Sequence, residues 1–157
     1  MSPVGIALIV GFIIILVVCV MIDKNGNKNF KKQMEEQYPV KEAFDRAFVT
    51  EKGELLYRLE SGTLLGYKKW NIRDIACIAT ARVHIPSSGH REQFSFLDKD
   101  RNVMRGEYLT PSKKKALKEK GYASFDMETG RMNDFVAFVK KHGPHINHSV
   151  NGKEVQD

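Results

Sequence analysis

The first hydrophobic pattern in the chain is an unbroken one. From Val4 to Ile22 it reads VGIALIVGFIIILVVCVMI, with no charged residue. As a helix rising about 1.5 Å per residue, this run spans roughly 29 Å, close to the hydrocarbon thickness of a bilayer. Within lipid every backbone N–H and C=O must be paired inside the segment, which enforces a helix even on Ile and Val. Residues 23–39 open with DKNGNKN, a polar Gly/Asn-rich connector, and continue into a short helix in which Phe30, Met34 and Tyr38 recur every four residues before Pro39. That stripe is expected to pack on the following domain or on the membrane surface.

Between about Ala43 and Met127 the period shortens to that of half-buried strands separated by turn residues. Expected strands are Arg46 to Thr50, Glu54 to Glu60, Thr63 to Lys69 and a long one from Ile75 to Ile85. In the last, Ile75, Cys77, Ala79, Ala81, Val83 and Ile85 share the apolar face, and Thr80, Arg82 and His84 the other. Pro86-Ser87-Ser88-Gly89 turns into Arg91 to Leu97, and Asp98-Lys99-Asp100 turns into Val103 to Leu109, giving a hairpin. Thr110-Pro111 caps a short Lys/Ala helix that Gly121 ends, and Tyr122 to Met127 is a seventh strand.

After Gly130 the period changes again. Met132, Phe135, Val136 and Val139 fall at i, i+3, i+4 and i+7, with Phe138 on the same side, so an amphipathic helix is expected. Lys140, Lys141 and His142 suit its C-terminal dipole, and Gly143-Pro144 stops it. A polar tail from Ile146 to Asp157 is expected to fray.

Composition sharpens this picture at two points. The net charge of +6 belongs wholly to the part after residue 22, and a basic excess suits an anionic partner such as a phospholipid surface. No nucleic-acid partner is expected. Lys24, Lys28, Lys31 and Lys32 follow the apolar run and no basic residue precedes it, which predicts a cytoplasmic C-terminal side and an outward N-terminus in the inner membrane. The missing basic n-region and A-x-A pattern argue against a cleaved signal peptide. Val18 before Cys19 argues against a lipidated cysteine. Cys19 in the span and Cys77 in a strand are not expected to form a disulfide.

Short strands in hairpin order closed by a C-terminal amphipathic helix resemble the pleckstrin-homology-like (PH-like) barrel. The stretch LLGYKKWNIRDI, Leu64 to Ile75, is similar to bacterial PH-like proteins in which an aromatic strand and a polar step lead to a D-I pair, here Asp74-Ile75. The resemblance covers about residues 43–142 and implies a seven-stranded antiparallel barrel or sandwich whose helix plugs one end. The first hairpin, around Glu51-Lys52-Gly53, lacks the Lys/Arg cluster that grips phosphoinositides in eukaryotic members.

Chemistry-bearing patterns are sparse. His142, His145 and His148 form an H-x2-H-x2-H run, but Gly143 and Pro144 break its spacing and a polar tail is the expected reading. Lys113, Lys114, Lys115 and Lys118, with Lys120, load the short helix with positive charge. They join Lys24, Lys28, Lys31 and Lys32 as candidate contacts to an anionic surface. Trp70 beside Lys68 and Lys69 suits an interfacial anchor or, more ordinarily, rim packing. No G-x-S-x-G, H-E-x-x-H, phosphate loop or dinucleotide fingerprint is present, so no catalytic, cofactor or metal residue is assigned.

The expectation is an α+β protein with a transmembrane anchor at 1–22, a juxtamembrane linker or stalk at 23–42, a PH-like domain at 43–142 and a flexible polar tail at 143–157. Its expected function is that of a membrane-tethered, non-enzymatic module binding a protein partner or the anionic inner membrane surface. The alternative is an accessory subunit that contacts a larger membrane complex through the span. Gly5 and Gly11, six apart, do not supply the small-xxx-small helix-pairing motif.

Overall fold

The computed structural model describes residues 3–61, 64–87, 89–111, 124–127 and 130–156. Its first element, helix α1, runs from Pro3 to Gln37 without interruption. The DKNGNKN stretch, expected as a connector, is therefore helical, and span and stalk are one rod about 52 Å long. Local propensity is a weak prior there. On one side of the stretch lies an apolar run that is long enough to cross a membrane, judged by length and composition. On the other, Met34 and Tyr38 are buried against the domain. Tyr38 N–H still donates to Met34 O, at 2.9 Å, and Pro39 then ends the helix.

Directly after Pro39 the chain enters sheet. One sheet has the order β1 (Val40–Phe44), β2 (Ala47–Thr50), β3 (Glu54–Ser61), β4 (Leu64–Asn71) and β8 (Glu107–Leu109). After a single 3-10 turn at Ile72–Asp74, the second sheet is built from β5 (Cys77–Ile85), β6 (Gly89–Leu97) and β7 (Val103–Met104). Strand β9 (Phe125–Met127) also pairs with β6, antiparallel. Helix α2 (Met132–His142) follows, and then β10 (Asn147–Val150) and β11 (Lys153–Glu154).

The expected strand Val103 to Leu109 is thus two strands in different sheets. β7 pairs with β6, and β8 pairs with β4 through Tyr67↔Leu109 and Lys69↔Glu107. Gly106 turns the corner at φ 69, where a Cβ would lie 2.7 Å from the Trp70 indole and 2.9 Å from the Lys69 carbonyl oxygen. Only glycine combines that φ with so close an approach. The seventh expected strand is present as Phe125–Met127, its first residues lying outside the described ones, as does the expected Lys/Ala helix.

Two further expectations are corrected. The residues after Gly143 do not fray: β10 joins β5 in parallel, Asn147↔Cys77 to Val150↔Thr80, and β11 folds back on β10. Ile146 and Ser149 are buried, and Arg101 is paired with Glu154. The face of β5 is also inverted. Ile78 and Thr80 stand opposite Phe96 and Phe94 and face the interior, whereas Cys77, Ala79 and Ala81 lie on the other side. The alternation of small residues misled because Cys and Ala bury little area, while Ile78 and the two phenylalanines carry the apolar surface.

The interior between the sheets is largely aromatic. Phe94 meets Phe135 of α2 at 4.6 Å between ring centroids, Trp70 meets Phe96 at 4.9 Å, and Tyr57 meets Phe94 at 5.2 Å. Met132, Phe135, Val136, Phe138 and Val139 are buried, so the predicted stripe of α2 is the one that packs.

Candidate functional site

The surface that distinguishes this molecule lies where α1 meets the outer face of the first sheet. Alternation along β2, β3 and β4 sends Ala47, Val49, Leu55, Tyr57 and Trp70 inward. It sends Phe48, Leu56, Leu65 and Tyr67 outward, where they meet Phe30, Met34 and Tyr38 of the stalk. Phe30 and Tyr67 rings are 6.0 Å apart. The four-residue stripe expected to pack on the domain or on the membrane packs on the domain.

One end of this seam is fixed by charge. Lys69 Nζ lies 2.8 Å from Glu107, 3.7 Å from Glu54 and 5.3 Å above the Tyr38 ring. The Glu107 hydrogen bond raises the Lys69 pKa against the opposing effect of burial, and Tyr38 adds to the rise. Alongside runs a groove of about 360 Å³ between Phe30, Gln33 and Gln37 on one wall and Glu107, Tyr108 and Leu109 on the other.

The apolar residues of α1 from Ile9 to Ile22 are exposed, Phe12 by 64% and Ile22 by 65%. Among the described residues α1 is the one helix long and apolar enough to cross a membrane, judged by length and composition. Lys24, Lys28, Lys31 and Lys32 are all exposed and, on a continuous helix, fall within about 100° of one another. That face is centred about 130° from Phe30 and Met34, so docking leaves it open. Lys32 pairs with Glu36 at 3.9 Å, an exposed contact of little energetic weight. Lys113, Lys114, Lys115 and Lys118 lie outside the described residues.

The histidine run does not converge. His142 Nε2 is 2.8 Å from Glu42, His145 lines a separate cleft with Asp74, Asp98 and Lys99, and His148 Nε2 is 2.8 Å from Thr80 Oγ1. Among the described residues no group of three His, Cys, Asp or Glu side chains could hold a metal ion. Lys141 Nζ reaches both Glu42 oxygens at 2.9 Å. That bond, with His142, holds the Glu42 carboxyl below its usual pKa against the opposing effect of desolvation. The cluster ties β1 to α2.

Trp70 is a core residue and not an interfacial anchor: it is 3% exposed, and its Nε1 donates to Met104 O at 3.0 Å. Cys19 and Cys77 are both free thiols. Thr80 Oγ1 also donates to Ser149 O at 3.2 Å, so its contacts fasten β10 to β5. Burial raises the Tyr57 pKa, and its hydroxyl donates to Asp126 O at 2.8 Å. Sequence reasoning missed the Lys69, Glu107 and Tyr38 junction, because β8 had been assigned to a hairpin with β6 and not to the edge of β4.

Comparison of the chain with protein-family models, curated proteins and solved structures returned no match.

Proposed function

We propose that this chain is a single-pass protein of a bacterial cytoplasmic membrane, with its N-terminus outside and a non-enzymatic, PH-like binding module held at the inner face by a rigid stalk. The observation that carries the reading is the continuity of α1, which is apolar and exposed from Ile9 to Ile22 and then buries Met34 and Tyr38 in the domain. Two curled sheets with α2 against their core support the PH-like reading. The module's role in it is to present a protein-binding surface at a fixed height, while the lysine face of the stalk meets anionic headgroups. Phe30 lies eight residues beyond Ile22, so the first docked residue sits about 12 Å from the end of the apolar run.

Orientation is tested by labelling cells with a membrane-impermeant maleimide after Ser2→Cys or Lys24→Cys substitution in the full chain. Label on the first in intact cells, and on the second only after lysis, is the expected result; the reverse pattern rejects it. The binding role is tested by co-purification of the wild-type chain and of one whose span is scrambled at constant hydrophobicity. A partner that follows both belongs to the domain. A partner that follows only the wild type is held by the span, and the module reading fails.

A further inference from the structure

The β5–β6 hairpin carries a feature that the stalk and its docking do not use. Its register places His84 directly opposite His90, one pair in from the Ile85↔Gly89 closure. Both side chains are exposed, and their ring centroids are 4.9 Å apart with an interplanar angle of 55°. They lie on the same face as Ile78, Thr80, Phe94 and Phe96, but where the hairpin has run beyond the core. The hairpin register therefore brings these imidazoles together at an exposed end of the sheet.

We propose that His84 and His90 form a two-histidine site for a borderline divalent cation of the zinc, nickel and copper class. Imidazole nitrogen is a preferred ligand for these ions. A nitrogen about 2.1 Å from zinc puts its ring centre about 3.2 Å from the metal, so two rings at octahedral-cis to tetrahedral angles have centres about 4.5 to 5.2 Å apart. The observed 4.9 Å falls within that window. Paired antiparallel strands hold both Cβ atoms at one spacing, so little side-chain freedom is lost on chelation.

The next cross-strand pair inward, Arg82↔Glu92, sits on the same face. Glu92 Oε2 is buried with no hydrogen-bond partner among the described residues, a carboxylate oxygen whose charge favours a cation nearby. Arg82 opposes it, and the Arg91 guanidinium is engaged by Asp126 at 3.1 Å. Two protein nitrogens leave the remaining coordination positions to water, the arrangement of an open site rather than a closed structural one. The proposal stands apart from the membrane reading, since it rests on the hairpin alone.

The test is calorimetric titration of the full-length protein in detergent micelles with Zn2+ alone, on wild type, His84→Ala, His90→Ala and His145→Ala. His145 is the exposed imidazole of the separate cleft. Wild type and His145→Ala are expected to bind equally, and Zn2+ to raise their melting midpoint. Each hairpin variant is expected to bind at least tenfold more weakly, since even removal of a ligand's outer partner costs about 10- to 100-fold. Both residues are exposed, and unchanged melting without Zn2+ separates loss of the site from loss of the fold. Absence of binding by wild type, binding as tight as wild type by both hairpin variants, or weakening in only one of them overturns the pair.

Discussion

The interior between the sheets and the seam beneath α1 are both lined with aromatic rings, yet they are filled from different parts of the chain. Tyr57, Trp70, Phe94, Phe96, Phe125 and Phe135 come from strands and from α2. The seam needs Met34 and Tyr38 from the stalk to cover Leu56, Leu65 and Tyr67. The first is a core that closes without the stalk; the second is an attachment. A mutation in the core should unfold the domain, whereas one in the seam should release the stalk from a domain that stays folded.

The largest effect is expected in the core. Phe94→Ala removes a ring in contact with Tyr57, Phe96, Phe125 and Phe135, a loss of about 3–5 kcal/mol. Denaturant unfolding of the full-length chain in micelles checks it. Retention of wild-type stability would dissolve the distinction between core and seam.

Met34→Ala comes next, at about 2 kcal/mol, the low end for a buried methionine because a docked helix relaxes more easily than a closed core. Its signature is selective. Trypsin cleavage at Lys31 and Lys32 should accelerate, since cleavage needs local opening of the stalk, while the unfolding midpoint of the sheets stays near that of wild type. Equal loss in both readouts would make the seam part of the core.

Smaller still is Tyr57→Phe, which keeps the ring against Phe94 and Phe125 and deletes the hydroxyl that donates to Asp126 O. It should cost about 1 kcal/mol. Gly26→Ala tests the rod that joins the regions: nothing lies within 4 Å of an added Cβ there. Alanine should strengthen the helix by up to about 1 kcal/mol and slow trypsin at Lys24 and Lys28.

Much of this architecture was legible because it follows from period. The strand Glu54 to Glu60 and the helix after Gly130 were located by alternation and by the i, i+3, i+4, i+7 pattern, and the structure has β3 at Glu54–Ser61 and α2 at Met132–His142. What failed depended on tertiary partners. The stalk beyond Gly26 is docked on the first sheet through Met34 and Tyr38, a contact absent from the local sequence. β10 finds its parallel partner in β5, some seventy residues earlier in the chain, a pairing that carries no local signal. One signal was available and unused: Asn151-Gly152, with φ of 50 and 81, is the two-residue turn that closes β10 onto β11. The cluster of lysines after the apolar run was readable from the sequence, but their common face required the helix to continue through Gly26. The His84 and His90 pair was not readable, since it depends on the register of a hairpin.

The smallest expected effect concerns the Glu42 cluster, which lies on the core's side of the division because it joins β1 to α2. The Glu42 carboxyl has a lowered pKa in the folded chain, chiefly through its bond from Lys141 and also through His142. A depressed carboxyl contributes stability that is fully present above its unfolded value, 4.5, and is lost as pH falls through the lower folded value. Wild type should therefore lose a little more stability than Glu42→Gln in acid below that unfolded value, and the difference between them should be flat at higher pH as far as Glu42 itself is concerned. Salt should shrink it, because Glu42 and Lys141 are exposed to solvent. The loss should appear in the unfolding of the sheets and not in trypsin cleavage of the stalk. Acid that freed the stalk first would place Glu42 in the seam and redraw the boundary between the two regions.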